Sequence, residues 1–342
     1  MPVRVLVTRD FDHLSETAAS IVIKRIIQTL RDKDEFNIGL ATGRSPTGLY
    51  KHLVYAANRG KLECRKLRSF NLDEYIGLPG ENEQQRTLHP ESYAFFMVRE
   101  LFGLLRHKFK ETLIPFGSLI DQQELLRQLK NHPQDWSEQG TSSGKAIAIK
   151  ARTSSAYLSW VKKDILEAYA RRIKKCGGID LQIIGVGGRG HVAFHEAGIP
   201  IRGSQVLLVK LDENTVQNAI ADGHFASLND CPRFAVSMGA ELVYRAKTVL
   251  LLACGARKLR PVTDSLLENP TSDLPISYGQ VYTAQGGELI YVVDKTAGQE
   301  LLRHPKELRD KKIKIQDLSA GRAKLSLRRI RFALDPDTGI FG

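Results

Sequence analysis

Ile179-Asp180-Leu181-Gln182-Ile183-Ile184 runs directly into Gly185-Val186-Gly187-Gly188-Arg189-Gly190-His191-Val192-Ala193-Phe194-His195-Glu196. The first six residues are mostly apolar and predict a buried strand, so the glycines fall where that strand ends. Glycine tolerates positive φ and lets a ligand approach the backbone closely. His191 follows at once, and Glu196 stands five residues later. In an open α/β sheet, ligands bind in the crevice beyond the carboxyl ends of the strands. A glycine turn that delivers a histidine and a carboxylate to that edge points to acid–base chemistry on a small molecule. Taken alone, His191 equally fits a structural hydrogen-bonding residue.

Similar apolar runs recur at 3–7, 36–41, 69–72, 206–211, 248–253 and 288–293. Amphipathic stretches lie between several of them. Over 15–31, Ala18, Ile21, Val22, Ile26 and Leu30 share one helical face, and 164–175 behaves the same way. Strands alternating with helices predict an α/β fold: a doubly wound, mostly parallel sheet with helices on both faces, Rossmann-like. Residues 131–155 are polar, with Pro133, Gly140, Gly144 and several serines, and read as a surface insertion. The expected partition is one α/β domain over 1–300 and a basic extension over 301–342.

The 342 residues, 42% hydrophobic and 26% charged, suffice for a sizeable core. No apolar stretch approaches the ~20 residues that span a bilayer. The N-terminus, Met1-Pro2-Val3-Arg4-Val5-Leu6-Val7, is too short and too charged an apolar run to read as a signal peptide. Cys64, Cys176, Cys231 and Cys254 stand far apart, without the close pairs of zinc or redox sites, and Cys254 lies in an apolar run that predicts a core position. The expectation is a cytoplasmic, reduced protein without a metal. The net charge of +12 is uneven: 303–331 holds eleven Lys or Arg against three acidic residues, a net +8. Such a tail can contact nucleic acid or a membrane. However, Ile313, Ile315, Leu325, Leu327 and Ile330 alternate with the charges as in a half-buried strand, and no aromatic stacking platform accompanies them. A solvated helix and strand packed on the body is the favoured reading, with neither membrane nor nucleic acid as partner.

Three further segments end strands with polar residues. In Thr42-Gly43-Arg44-Ser45-Pro46, proline suits a helix's first turn, and free N–H groups with the Thr42 and Ser45 hydroxyls form a phosphate cradle or a plain turn. The Gly-Lys-Ser/Thr ending of a Walker A loop is missing. In Phe70-Asn71-Leu72-Asp73-Glu74-Tyr75, adjacent acids on an extended chain face opposite ways, so at most one is catalytic. Ala253-Cys254-Gly255-Ala256-Arg257-Lys258 brings a cation, Lys258, to the same edge.

Together with His89-Pro90-Glu91-Ser92-Tyr93 and Gly190-His191-Val192-Ala193-Phe194-His195-Glu196, these pieces resemble, in order and at consistent spacing, the glucosamine-6-phosphate deaminase (isomerase) family. Its superfamily also holds 6-phosphogluconolactonases. Lactonases carry Asp-Glu-Arg where this chain has Asp73-Glu74-Tyr75, so the deaminase branch is closer. The resemblance runs from about Val3 to Asp294. It implies opening of an amino-sugar phosphate ring, proton transfer between C2 and C1, and loss of ammonia to leave a ketose phosphate. By position it implies that His191 opens the ring, Glu196 partners it and Asp73 is the base. Thr42, Gly43, Arg44, Ser45, Arg189 and Lys258 are then the expected substrate-binding residues. No cofactor is implied; the expected partner is a small-molecule sugar phosphate, and a homo-oligomer stays open.

Two departures stand out. Arg189 replaces the family's usual Asp or Asn two residues before the histidine, and an arginine accepts neither a proton nor a hydrogen bond. Ile220, in Asn218-Ala219-Ile220, replaces a lid arginine that grips the phosphate, a cation that Arg44 or Arg189 would have to replace. The other readings are a non-catalytic sugar-phosphate-binding regulator with the tail as its arm, and then a 6-phosphogluconolactonase.

Overall fold

The computed structural model describes residues 3–212, 225 and 231–332. Thirteen strands follow one another along the described chain: β1 (Arg4–Thr8), β2 (Phe36–Leu40), β3 (Leu67–Asn71), β4 (Asp73–Ile76), β5 (Glu111–Leu113), β6 (Trp136–Gln139), β7 (Lys145–Ile149), β8 (Leu181–Gly185), β9 (Val206–Lys210), β10 (Phe234–Met238), β11 (Thr248–Ala253), β12 (Glu288–Asp294) and β13 (Lys314–Asp317). Eight form a parallel sheet in the order β13-β1-β12-β11-β8-β2-β3-β5. Its central strands are buried on both faces, as in β11 and β12, where every residue is buried. That burial is why they read as continuous apolar runs. From β2 the chain steps outward to β3 and β5; from β8 it steps the other way to β11 and β12. The order therefore reverses between β2 and β8, and the loops beyond that point are where such sheets bind ligands.

The other five strands form an antiparallel sheet, β4-β10-β9-β7-β6. Residues 206–211, which read like the parallel strands, belong here as β9. The polar stretch 131–155 is more than a surface insertion, because it supplies β6 and β7 and buries Ile147 and Ile149. Side chains alternate across this sheet: Leu208 and Val236 pack with Leu158, Val161 and Ile165, while Leu207, Val209 and Ala235 pack with Ile199. Leu72 alone separates β3 from β4, so the chain passes from one sheet to the other through a single residue. Asp73 is the first residue past that joint.

The first helix, Phe11–Thr29, begins four residues before the expected start because Asp10 caps it, accepting from His13 N at 2.9 Å. Leu14, Ala18, Val22 and Ile26 form its buried stripe, while Ile21 and Leu30 are half-buried. A helix over 156–175, opened by the Ser155 cap and carrying a π-helical turn at Val161–Leu166, extends the expected 164–175 segment toward its N-terminus. The basic tail forms a short helix, Pro305–Asp310, and then β13, which adds to β1 at the sheet edge. Strand structure stops at Asp317; Leu325 and Leu327 are half-buried and Ile330 is buried beyond it. Among the described residues no helix is long and apolar enough to cross a membrane.

Candidate active site

Four loops converge at the carboxyl edge, after β2, β3, β8 and β11. Following β2, Gly43 takes φ +96° and opens the helix Arg44–Asn58 without any side-chain cap. The first N–H groups of that helix thus have no side-chain partner and face the edge. Arg44 is exposed and has no ion pair among the described residues. The Thr42 hydroxyl donates to the Asp73 carboxyl, joining this loop to β4.

Asp73 and Glu74 are both buried, but they do different things. Glu74 accepts from the backbone N–H groups of Tyr75 (2.8 Å), Tyr93 (3.0 Å) and Ala94 (2.9 Å). It therefore fixes the start of the helix Tyr93–Glu100, which Ser92 caps. Burial pushes Glu74 up to about 7 against these three bonds. Burial and the neighbouring Glu74 charge push Asp73 up to about 8, while the Thr42 bond holds it down. Asp73 Oδ1 has no hydrogen-bond partner among the described residues. Of the two acids, Glu74 has both oxygens engaged in hydrogen bonds.

The histidine turn after β8 is built around its glycines. A side chain at Gly187 would lie 2.2 Å from His191 Nε2, so the bare backbone leaves room for the imidazole. His191 Nδ1 lies 3.1 Å from Glu196 Oε1, close but not aligned as a hydrogen bond. Glu196 is buried, His191 half-buried. Gly144, just before β7, approaches the Glu196 side chain so closely that a Cβ there would lie 3.0 Å from its Cγ. Thr141 N donates to Ala197 O at 2.9 Å. The 131–155 stretch thus buttresses the carboxylate. Arg189 pairs with the buried Asp212 and stands 4.0 Å from Glu196 Oε2, its side chain 51% exposed.

Several residues that hold the site gave no signal in the sequence. Ser237 lies opposite Asp73 in the β10–β4 register, and its hydroxyl accepts from Phe194 N at 3.0 Å. One serine therefore links the strand of Asp73 to the turn of His191. His195, fully buried, accepts at Nδ1 from Ala240 N (3.1 Å) and donates from Nε2 to Ile199 O (3.0 Å). Burial pushes its ring down to about 4, so it is a neutral structural group. Tyr93 stacks on Phe194 beside the turn and Tyr75 tilts against both, with the two tyrosine hydroxyls 3.2 Å apart.

After β11, Gly255 takes φ +94° and donates its N–H to Asp294 Oδ1 at 3.1 Å. Cys254 is half-buried rather than a core residue, its thiol donating to Asp294 Oδ2 at 3.3 Å. Asp294 is placed at the end of β12 and also caps the next short helix through Ala297 N. Lys258 follows this braced turn; burial and Arg257 hold its ammonium below the usual range, and it has no ion pair among the described residues. Arg44 acts on the Cys254 thiol electrostatically, so the β2 and β11 loops are neighbours. Ser45 is half-buried in the first turn after Gly43. Ile220 lies outside the described residues. Among the described residues no three of His, Cys, Asp or Glu gather as a metal-binding group. A groove of about 770 Å³ lies elsewhere, along helix 156–175 and β9, and contains none of these residues.

No family model matches the chain. Among solved structures it resembles a monomeric glucosamine-6-phosphate deaminase described as a missing link of the NagB superfamily, with TM-score 0.62, 24% identity, and 87% of this chain and 99% of that one covered. It also resembles the 6-phosphogluconolactonase from Trypanosoma brucei, with TM-score 0.56, 16% identity, and coverage of 88% and 99%. These likenesses establish the shared α/β fold. In sequence it is 30% identical to the glucosamine-6-phosphate deaminase of Thermoanaerobacter sp. (strain X514) over 294 residues, 86% of this chain and 93% of the relative. It is likewise 30% identical to that of Clostridium botulinum (strain Loch Maree / Type A3) over 298 residues, 87% of this chain and 98% of the relative. With that identity sustained along nearly the whole relative, the chain belongs to the glucosamine-6-phosphate deaminase family.

Proposed function

We propose that the chain is an amino-sugar-phosphate deaminase and isomerase that converts a substrate like glucosamine 6-phosphate, with water, into a ketose phosphate and ammonia. The observation that carries this reading is the division of labour between Asp73 and Glu74. One buried carboxyl is committed to a helix start, and the other, beside the Gly43 turn, keeps an unpartnered oxygen. Ring opening breaks the C1–O5 bond, moving the proton of the C1 hydroxyl to O5. His191, half-exposed and backed by Glu196, is the group to relay it. Asp73 takes the C2 proton while O1 takes up a proton from the substrate ammonium, giving an enolamine. The proton held on Asp73 then goes to C1, which leaves an iminium at C2. Water adds there, passes a proton to nitrogen, and ammonia departs. Thr42, Gly43, Arg44, Ser45 and Lys258 hold the phosphate, through free helix N–H groups and cations. Arg189 flanks Glu196 and Asp212. The reaction needs no metal or organic cofactor, and the cytoplasm, where sugar phosphates are made, is its setting.

The test is ammonia and ketose phosphate release from glucosamine 6-phosphate, N-acetylglucosamine 6-phosphate and unphosphorylated glucosamine. Turnover of the first alone is expected. Tight binding without turnover would make the protein a sensor. Hydrolysis of 6-phosphogluconolactone instead would make it a lactonase.

A further inference from the structure

After β13 the chain does not leave the body. It crosses the first turns of two helices that both start at the carboxyl edge. Leu318 N donates to Val7 O at 2.7 Å, near the end of β1. Lys324 N and Leu325 N donate to the Glu16 carboxylate at 2.7 and 2.9 Å, and the Ser326 hydroxyl donates to Asp12 at 2.6 Å. Leu327 then reaches the second helix: a Cβ on Gly48 would lie 2.9 Å from Leu327 Cδ1. Gly48 is one turn along from Arg44, at the start of the helix whose free N–H groups follow Gly43. Next come Arg328, Arg329 and Arg331, all exposed and without an ion pair among the described residues; the anions nearby, Asp12 and Glu16, are already taken up in holding the strap.

We propose that this strap delivers Arg328, Arg329 and Arg331 to the rim of the Thr42–Ser45 loop, where they bind the phosphate end of the ligand in cis. The proposal rests on the reading of this edge as a sugar-phosphate site. The links run from Glu16 to Asp12, toward the start of the first helix, and then to Gly48, three residues from Ser45, and consecutive Cα atoms are only 3.80 Å apart. Arg44, Arg257 and Lys258 already present unneutralised charge on adjoining loops, and further cations beside them raise the local concentration of an anionic ligand. An arginine fork also matches a phosphate better than a lysine does. Three of the eleven Lys and Arg residues of the tail are thereby given a local use, in place of a distant acidic partner.

The experiment uses the full chain with Arg328→Ala, Arg329→Ala and Arg331→Ala combined, and the matching triple lysine variant. Calorimetry measures binding of inorganic phosphate, glucosamine 6-phosphate and glucosamine. The alanine variant is expected to weaken both phosphate-bearing probes by about 10- to 100-fold and to leave glucosamine unchanged, with an unaltered melting temperature. The lysine variant recovers part of the loss. Equal affinity of parent and alanine variant for glucosamine 6-phosphate overturns the proposal, as does equal weakening of glucosamine. Binding of the phosphosugar without turnover by the parent would remove the deaminase reading and leave this inference standing. A parent that binds no phosphate-bearing probe removes both.

Discussion

The Thr42 hydroxyl donates to the Asp73 carboxyl, tying the loop after β2 to the first residue of β4. The Gly43 helix start and the proposed base are thereby linked through adjacent residues. The bond also has an electrostatic consequence, because it favours the ionised carboxylate that burial and Glu74 disfavour.

Thr42→Val removes that bond, so Asp73 should rise further above its ordinary range. A base must be ionised to act, so the acid limb of the kcat/KM profile should move to higher pH. Thr42→Ser keeps the hydroxyl and should stay near the parent. An acid limb in the same place for all three proteins would show that another group titrates there.

Asp73→Asn should lower turnover by ~10²–10⁴-fold, the contribution of a positioned general base, while the phosphosugar still binds in calorimetry. It should also change stability in a defined direction. The folded pKa of Asp73, about 8, lies above its unfolded value. Stability is therefore undiminished below about pH 4 and is lost as pH rises through about 8. The asparagine variant should melt above the parent at about pH 8.5, and this advantage should vanish toward pH 4. An advantage independent of pH would mean that Asp73 is not held protonated by the fold.

The two histidines of the turn should separate cleanly. His195→Leu strands Ala240 N–H and Ile199 C=O and should cost ~1–3 kcal/mol of stability. Its folded pKa, about 4, lies below the unfolded value, so the parent loses this stability as pH falls from about 6.5 toward 4. The leucine variant should show a shallower decline over that window. His191→Ala, at a half-exposed ring, should leave the melting temperature near the parent's and remove turnover. Matching losses of stability in both variants would assign His191 a structural role.

The central parallel strands were legible because burial on both faces writes an unbroken apolar run, as in β11 and β12. The antiparallel sheet was harder to read. β4 begins Asp73-Glu74 and β6 is polar, so no simple period marks them, while the short apolar run Ala146–Ile149 of β7 is embedded in polar neighbours. Glu74 looked interchangeable with Asp73 because its partners, Tyr93 and Ala94, stand some twenty residues on and meet it only in the fold. Ser237 carried no local signature, being defined by a register between strands distant in sequence.

Arg44 and Arg189 should respond differently to removal, although both were expected to grip the phosphate. Arg44 is exposed on the helix start after Gly43 and is free of ion pairs among the described residues. Charge-assisted hydrogen bonds contribute ~1.5–3 kcal/mol each, so Arg44→Ala should weaken glucosamine 6-phosphate by about tenfold or more and glucosamine hardly at all. Arg189 is paired with Asp212 and close to Glu196, and freeing it for a phosphate would withdraw its charge from a buried carboxylate. Arg189→Ala should therefore weaken both sugars alike and lower the melting temperature, since it takes a cation away from the buried Asp212 carboxylate. Calorimetry with the two sugars, beside a thermal melt of each variant, decides the matter. A selective loss of the phosphorylated sugar in Arg189→Ala, with stability intact, would move the phosphate to the histidine turn and away from the Gly43 helix start.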